Sequence, residues 1–496
     1  EYNALIRNGT WELVPPSPSQ NVIVCKWAFK TKLKQDGSLD RYKARFVAKG
    51  YHQRPGIDFV DTFSPVVKPA IIRLLLSLAV SHKWYITQLD ISNAFLHGYL
   101  DETVHMSQPP GFVDPTPPDH VCLLKRSLYG LKQAPHMWNK RLADVLLSLG
   151  LVGSKTDSSL FYMPNADEKL FCLVYVDDIL VLGSNSAHIA ALISKLQTQF
   201  AVRDLGKLSY FLGIQANWTR EGLHLSQGKY VTDLLNRVRM GSCGPVSTPA
   251  SSSSKLSTAG GSPFPDQTLY RSTVGALQYL TFTRPDIAYA VNKISQFMHC
   301  PMDSHWIAVK RILRYVKSTA PHGLFLSHGS STLLHGYSNS DWGGDTDDRK
   351  STTGFTIFLG SHLISWASRK QKSVSRSSTE AEYRALAAAT SEITWIELLL
   401  REIGCFTSSI PILWCDNLSA TYLTANPIFH SRTKHMEINF YFVRDKVRAK
   451  SLSVRYVSSQ DQVADALTKP LSKVRFLDLK SKLTVVPHPA QLEGVC

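Results

Sequence analysis

The chain has 496 residues, 44% of them hydrophobic, and 55 Lys and Arg against 39 Asp and Glu. That length is enough for two or more domains with full cores. The net charge of +16 favours a polyanionic partner, although a basic balance also serves plain solubility. The eight cysteines are scattered without a Cys-x-x-Cys pair, which argues against a disulfide framework or a cysteine zinc site and for reduced core thiols in an intracellular protein. The most apolar stretches, residues 71–80 and 170–182, fall short of the roughly 20 apolar residues that cross a bilayer. No signal peptide is visible, and a start at Glu1-Tyr2-Asn3 reads as a fragment of something longer.

Residues 21–51 read as a basic hairpin with a turn at Asp36-Gly37. Cations and aromatics alternate along residues 41–49, so one face can offer charge to phosphates; a solvated face is the simpler reading of this segment alone. Residues 70–82 predict a buried helix. Residues 84–90 predict a strand that finishes on Asp90. Prolines at 109–110 and 115–118 mark a loop, and Leu142, Val145, Leu146 and Leu149 give 138–149 an apolar helical stripe stopped by Gly150.

Leu173-Val174-Tyr175-Val176-Asp177-Asp178-Ile179-Leu180-Val181 is the pivotal stretch. Its apolar flanks predict a buried hairpin turning near Asp177 and Asp178. Burying two unpaired carboxylates costs several kcal/mol, and a hard divalent cation removes that cost. An exposed Asp-Asp turn and a metal site fit this stretch equally well when it stands alone. With Asp90 ending a second strand, three carboxylates at a sheet edge could hold two Mg²⁺ ions, an arrangement suited to phosphoryl transfer.

Residues 247–265 are rich in Ser, Thr, Pro and Gly and read as a linker. Beyond it, 307–318 predicts a helix with an apolar stripe and a basic stripe of Lys310, Arg314 and Lys317. After residue 333 the pattern becomes strand, strand, helix, strand, helix. The strands are expected at 334–337, 354–359 and 412–415, the last closing on Asp416, and a long helix at 380–403.

Several blocks occur in one order: Gln88-Leu89-Asp90-Ile91-Ser92-Asn93-Ala94-Phe95-Leu96-His97-Gly98, Leu128-Tyr129-Gly130-Leu131-Lys132-Gln133-Ala134-Pro135 and Tyr175-Val176-Asp177-Asp178. With residues 42–50 and Thr283-Arg284-Pro285-Asp286-Ile287, they resemble the reverse transcriptase of copia-type LTR retrotransposons. The segments Ser378-Thr379-Glu380-Ala381-Glu382-Tyr383, Leu413-Trp414-Cys415-Asp416-Asn417 and 462–469 are similar to the RNase H domain that follows such polymerases. The resemblance implies an α+β fold: a right-hand (fingers-palm-thumb) polymerase followed by an RNase H-like α/β domain. Expected boundaries are 11–246 for fingers and palm, 247–265 for the linker, 266–330 for a thumb or connection-like helical region, and 333–475 for the RNase H-like domain.

Roles follow from the resemblance. Asp90, Asp177 and Asp178 become the metal-binding catalytic carboxylates of the palm. Phe95 matches the bulky gate under the sugar that excludes a 2′-OH, Gln133 a glutamine near the incoming nucleotide, and Lys43 and Arg45 the cations that meet its triphosphate. Glu382, Asp416 and Asp465 become RNase H carboxylates, although Thr379-x-x-Glu382 also reads as a capping box. Asn339 stands where the leading RNase H aspartate belongs, which predicts weakened RNA cleavage, with Asp341 two residues on as a partial substitute metal ligand. His136 stands where the family more often has arginine. The implied cofactor is Mg²⁺, two ions per active site, with Mn²⁺ as an alternative. The implied partners are RNA template, DNA primer, RNA–DNA hybrid, dNTPs and the rest of a Gag-Pol polyprotein, with no membrane. The expected setting is a cytoplasmic virus-like particle or the nucleus.

Overall fold

A computed structural model describes residues 1–33, 38–164, 168–253, 255–259, 261–406, 409–425 and 437–488. The expected turn at Asp36-Gly37 lies outside the described residues. The chain divides into two compact units: residues 1–67 with 85–207, and residues 68–84 with 208–496.

In the first unit, a six-stranded antiparallel sheet runs in the order Val202–Lys207, Tyr85–Ile91, Asp178–Gly183, Leu170–Tyr175, Leu160–Tyr162, Val152–Gly153. One face presents Leu89, Ile91, Cys172, Val174, Ile179 and Val181 to a shared core. The helices Ala134–Ser148 and Ser186–Gln199 meet it with Leu142, Val145, Leu146, Ile189, Leu192 and Leu196. Leu173, Leu180 and Leu182 on the other face are buried as well, so these strands read as continuous apolar runs rather than alternating ones. A four-stranded sheet (Trp11–Val14, Val121–Arg126, Tyr99–Met106, Val22–Ile23) packs a second core around Phe46, Leu96, Met106 and Leu128.

The basic hairpin forms as Cys25–Leu33 paired with Leu39–Ala48. Its register puts Trp27 opposite Phe46 on one face, while Lys30 faces Lys43 and Ala28 faces Arg45 on the other. Like charges directly opposite one another oppose pairing unless an anion lies between them.

In the second unit, a five-stranded mixed sheet runs His362–Lys370, Thr352–Leu359, Leu334–Asp341, Ile412–Cys415, Ser453–Tyr456. The first three strands pair antiparallel and the last three parallel. The long helix Ser378–Glu402 buries Ala381, Tyr383, Ala385, Leu386, Ile393 and Ile396. Helices Gln267–Leu280, Ala288–Ser295 and Asp303–Ser318 share one core.

The conspicuous Thr-Arg-Pro-Asp-Ile block is structural. Arg284 forks onto Asp286 at 2.9 and 2.8 Å and gives a third bond to the Thr319 carbonyl at 2.8 Å, and the Tyr315 hydroxyl donates to Asp286 at 2.6 Å. All four residues are buried, so the guanidinium fork keeps an aspartate ionised away from water.

The segment 247–265 lies wholly within the second unit. Arg311 donates to the Thr248 carbonyl at 3.2 Å and hydroxyl at 2.8 Å, and Phe264 stacks on Trp306 at 4.8 Å. Side chains of the neighbouring helix therefore take up polar groups that a free linker leaves to water.

Helix Pro69–Ser81 also belongs to the second unit, though first-unit chain flanks it on both sides. Arg73 donates to the Ile364 carbonyl at 2.8 Å with its guanidinium 3.8 Å from the centre of the Trp366 ring, and the Ser77 hydroxyl meets His362 at 2.7 Å. Among the described residues no helix is long and apolar enough to cross a membrane. The seven described cysteines are free, and Cys25, Cys122, Cys172 and Cys415 are buried.

Candidate functional site

Asp90 is the penultimate residue of its strand and Asp178 the first of the next, and the register sets them directly opposite each other. Directly opposed residues of an antiparallel pair share a face, so the two carboxylates do too. Asp177 belongs to the two-residue turn between Tyr175 and Asp178, and its carbonyl accepts the Ile91 N–H at 2.9 Å. The turn thus falls at Val176–Asp177, and Asp178 already belongs to the strand. Burial, and then the charges of Asp177 and Asp90, push the Asp178 carboxyl up to about 6. Three carboxylates at this sheet end repel one another, and oxygen-preferring divalent cations relieve that repulsion.

A wall stands beside them. Tyr129 meets Phe95 edge-on at 5.2 Å, and Arg45 lies 5.0 Å from the centre of the Tyr129 ring. Burial raises the Tyr129 phenol; Arg45 opposes the rise, while Asp177 and Asp90 add to it, so Tyr129 feels both carboxylates. Close backbone approach holds this wall: the Ala48 N–H donates to the Tyr129 carbonyl at 2.8 Å. At Gly130, with φ +92°, a Cβ would stand 2.1 Å from the Ala48 carbonyl oxygen, so the turn admits only glycine. Phe95 rides on a single turn, Ala94–His97, entered through Asn93 at φ +56°.

The structure brings Asp90, Asp177, Asp178, Phe95 and Arg45 together. Lys43 lies further along the same hairpin, opposite Lys30. Gln133 is fully buried; its amide accepts from Gln53 at 2.8 Å and donates to the Asp58 carbonyl at 2.8 Å, securing the 53–58 loop. His136 Nδ1 donates to the Phe63 carbonyl at 2.7 Å.

A second cluster lies in the mixed sheet. Ser377, not Thr379, caps the long helix, accepting from the Glu380 N–H at 3.1 Å. Glu380 turns back to the Arg376 N–H at 2.8 Å, so the rival capping-box reading of Thr379–Glu382 is not what forms, and Glu382 is left to the carboxylate cluster. One Glu382 oxygen accepts the Ser340 N–H at 3.0 Å; the other, Oε2, is buried without a hydrogen-bond partner among the described residues. Burial first, then Asp416 and Asp465, push the Glu382 carboxyl well above the usual range. Ligand atoms of Glu382, Cys415 and Asp416 lie within 4.8 Å of one another. Burial also raises the Cys415 thiol, leaving it neutral and the carboxylates as the hard donors. An orphaned buried carboxylate oxygen beside a second carboxylate fits a divalent cation.

Asp465, raised by burial, pairs with Lys469 at 2.8 Å. The Asn339 amide donates to Asp465 and, at 3.2 Å, to the Thr468 hydroxyl. Asp341, two residues on from Asn339 at the C-terminal end of the same strand, accepts the Thr352 N–H, and burial pushes its carboxyl up to about 6. The structure brings Glu382, Asp416, Asp465 and Asn339 together, while the Asp341 carboxylate is taken by the Thr352 N–H.

A family model described as reverse transcriptase (RNA-dependent DNA polymerase) matches residues 8–252. The chain is 51% identical over 496 residues to the retrovirus-related Pol polyprotein from transposon RE2 of Arabidopsis thaliana, covering 100% of this chain and 34% of that protein. It is 32% identical over 308 residues to the putative transposon Ty5-1 protein of Saccharomyces cerevisiae, covering 62% of this chain and 100% of that protein. The chain belongs to the reverse transcriptases of copia-type retrotransposon Pol polyproteins. It spans about a third of the length of the first curated relatives it matches, at 34%, 33% and 36%. Among solved structures, prototype foamy virus protease-reverse transcriptase aligns with 95% of this chain and 54% of its own at 12% identity and a TM-score of 0.26, too weak a likeness to carry an argument about shape.

Several residues of this copia-type reverse transcriptase chain that shape the two clusters escaped the sequence reading. Tyr129 and Trp138 lie in or just after the quoted Leu-Tyr-Gly block, which was the signal that could have found them. Cys415 and Lys469 each neighbour a named carboxylate; the i,i+4 spacing of Asp465 and Lys469 was a signal for the second, while nothing in its spacing marks out the first.

Proposed function

We propose that the chain is an RNA-directed DNA polymerase that extends a DNA primer on an RNA template. The primer 3′-oxygen attacks the α-phosphorus of a dNTP, the bond to pyrophosphate breaks, and the hydroxyl proton departs. The observation that carries this reading is the pairing of Asp90 with Asp178 across adjacent strands, with Asp177 in the adjoining turn. Those three carboxylates would hold divalent cations, two Mg²⁺ ions by the family's pattern or Mn²⁺ in their place. Such ions acidify the attacking hydroxyl and offset charge on the leaving phosphates. Arg45 and Lys43 bind the triphosphate, Phe95 packs under the sugar and excludes a 2′-OH, and Gln133 fixes the loop beside the nucleotide. Residues 11–246 form fingers and palm, 247–265 the connecting segment, 266–330 the thumb-like region and 333–475 the RNase H-like domain.

For that last domain we propose a weakened hybrid nuclease. Glu382, Asp416 and Asp465 supply carboxylates, while Asn339 brings a neutral amide where a fourth charge belongs, and its nitrogen donates to Asp465. The partners are then RNA template, DNA primer, their hybrid and the remaining Gag-Pol segments, in a virus-like particle or the nucleus.

Primer extension on poly(rA) with dTTP and Mg²⁺ tests the polymerase reading. Extension should be lost in Asp177→Asn/Asp178→Asn; no extension by the folded, unmodified chain would overturn it.

A further inference from the structure

Val176 precedes the catalytic turn's aspartate with φ +53°. A β-branched residue in the left-handed region is a strained outlier that persists only where its surroundings hold it. The Val176 carbonyl accepts a hydrogen bond from the Trp138 indole N–H at 2.7 Å. That indole has little freedom: Trp138 is 1% exposed, and Phe200 and His97 meet its ring at 5.2 and 5.9 Å. A buried indole N–H must find an acceptor, and of all the carbonyls lining this core it takes the one on the strained residue. The next carbonyl, that of Asp177, is held by the Ile91 N–H. The two consecutive carbonyls of the turn are therefore fixed, one to the helix Ala134–Ser148 and one to the strand that carries Asp90.

We propose that Trp138 is a positioning residue for the polymerase carboxylates: its indole N–H holds Val176 in the left-handed conformation and so sets Asp177 and Asp178 against Asp90. The inference rests on the polymerase reading above for its consequence in catalysis, but not for its structural content. Removing the donor while keeping an aromatic ring lets Val176 relax toward negative φ and rotates the following peptide. Glycine at 176 takes positive φ without strain, so it removes the need for the indole bond.

Trp138→Phe, Val176→Gly and the double variant are compared with the unmodified chain by steady-state primer extension, thermal unfolding and hydrogen exchange of the Ile91 amide. Trp138→Phe should lower kcat about tenfold with KM for dTTP unchanged, and speed Ile91 exchange. The double variant should recover kcat and exchange protection to the level of Val176→Gly alone. Unchanged kcat and unchanged exchange in Trp138→Phe would overturn the proposal. So would a loss that follows the unfolding temperature and is not relieved by Val176→Gly, since that is the mark of a packing role. If the unmodified chain extends no primer, the polymerase reading fails, while Ile91 exchange in the two single variants and the double variant still decides whether Trp138 holds the turn.

Discussion

Replacing Asn339 with Asp supplies the carboxylate that the proposed nuclease reading lacks and inverts a local interaction. Asn339 and Asp465 are each 4% exposed, and the Asn339 amide donates to the Asp465 carboxylate. In Asn339→Asp that donor becomes a second carboxylate facing the first. A hydrogen bond to a charged group is worth about 1.5–3 kcal/mol, and the added repulsion is capped because one carboxyl of the pair can stay protonated. Holding a carboxyl of normal pKa near 4 neutral at pH 7 costs at most about 4 kcal/mol. The expected destabilisation without metal is therefore about 2–4 kcal/mol, or roughly 5–15 °C in the unfolding midpoint at about 2–4 °C per kcal/mol. Mg²⁺ should restore most of it, because the ion binds the folded pair and not the unfolded chain. Thermal unfolding with EDTA and with Mg²⁺, for both proteins, is the assay. Equal midpoints in EDTA, or an equal rise in both proteins with Mg²⁺, would refute the reasoning.

The same variant should cut the RNA strand of a hybrid faster than the unmodified chain; no gain would overturn the proposed effect of Asn339. Phe95→Val should raise the use of rUTP relative to dTTP by about tenfold or more in single-nucleotide incorporation, with little change in stability, since the ring is only half-buried. Gly130→Ala must push a Cβ into the Ala48 carbonyl, displacing Tyr129, so both the unfolding midpoint and extension should fall. Lys480→Met should stabilise the chain at pH 7 by about 2 kcal/mol in thermal unfolding. Burial lowers the Lys480 ammonium to about 8, against the attraction of Asp286 and with help from Arg284. Its folded value thus lies below the unfolded one, the charged lysine costs stability below pH 8, and the advantage of Met should fade as pH rises toward 10.5.

Strands that end on carboxylates were legible because apolar runs stop sharply there. The expected strand at 84–90 forms as Tyr85–Ile91 and the expected 412–415 as Ile412–Cys415. The 173–181 hairpin forms with its turn one residue early, since no turn rule places a valine at positive φ. The edge strand Trp11–Val14 went unread because it is short and its partner lies over a hundred residues along the chain, and the inner strand Tyr99–Met106 because its half-buried positions alternate with exposed polar ones. Glu382 was legible as a carboxylate at a helix start. The residue that actually caps the helix was not, because Ser377 and Thr379 offer the same hydroxyl. Gln133 reads as a polar residue for a ligand, and only the structure shows both ends of its amide taken by Gln53 and Asp58.

Helix Pro69–Ser81 has a consequence for synthesis. It buries eleven of its thirteen residues, and the carbonyl that receives Arg73 belongs to Ile364, 291 positions later. At about 5–20 residues per second, the ribosome delivers that partner strand roughly 15–60 s after the helix emerges. Over that interval a run of Ile and Leu short of its full packing is an aggregation hazard, and a chain stopped before residue 362 keeps only the contacts to Phe282 and His328 and the strand Gly323–Ser327. Nascent and truncated forms of this polypeptide should therefore be chaperone clients, engaged at residues 69–81 until the strand His362–Lys370 arrives.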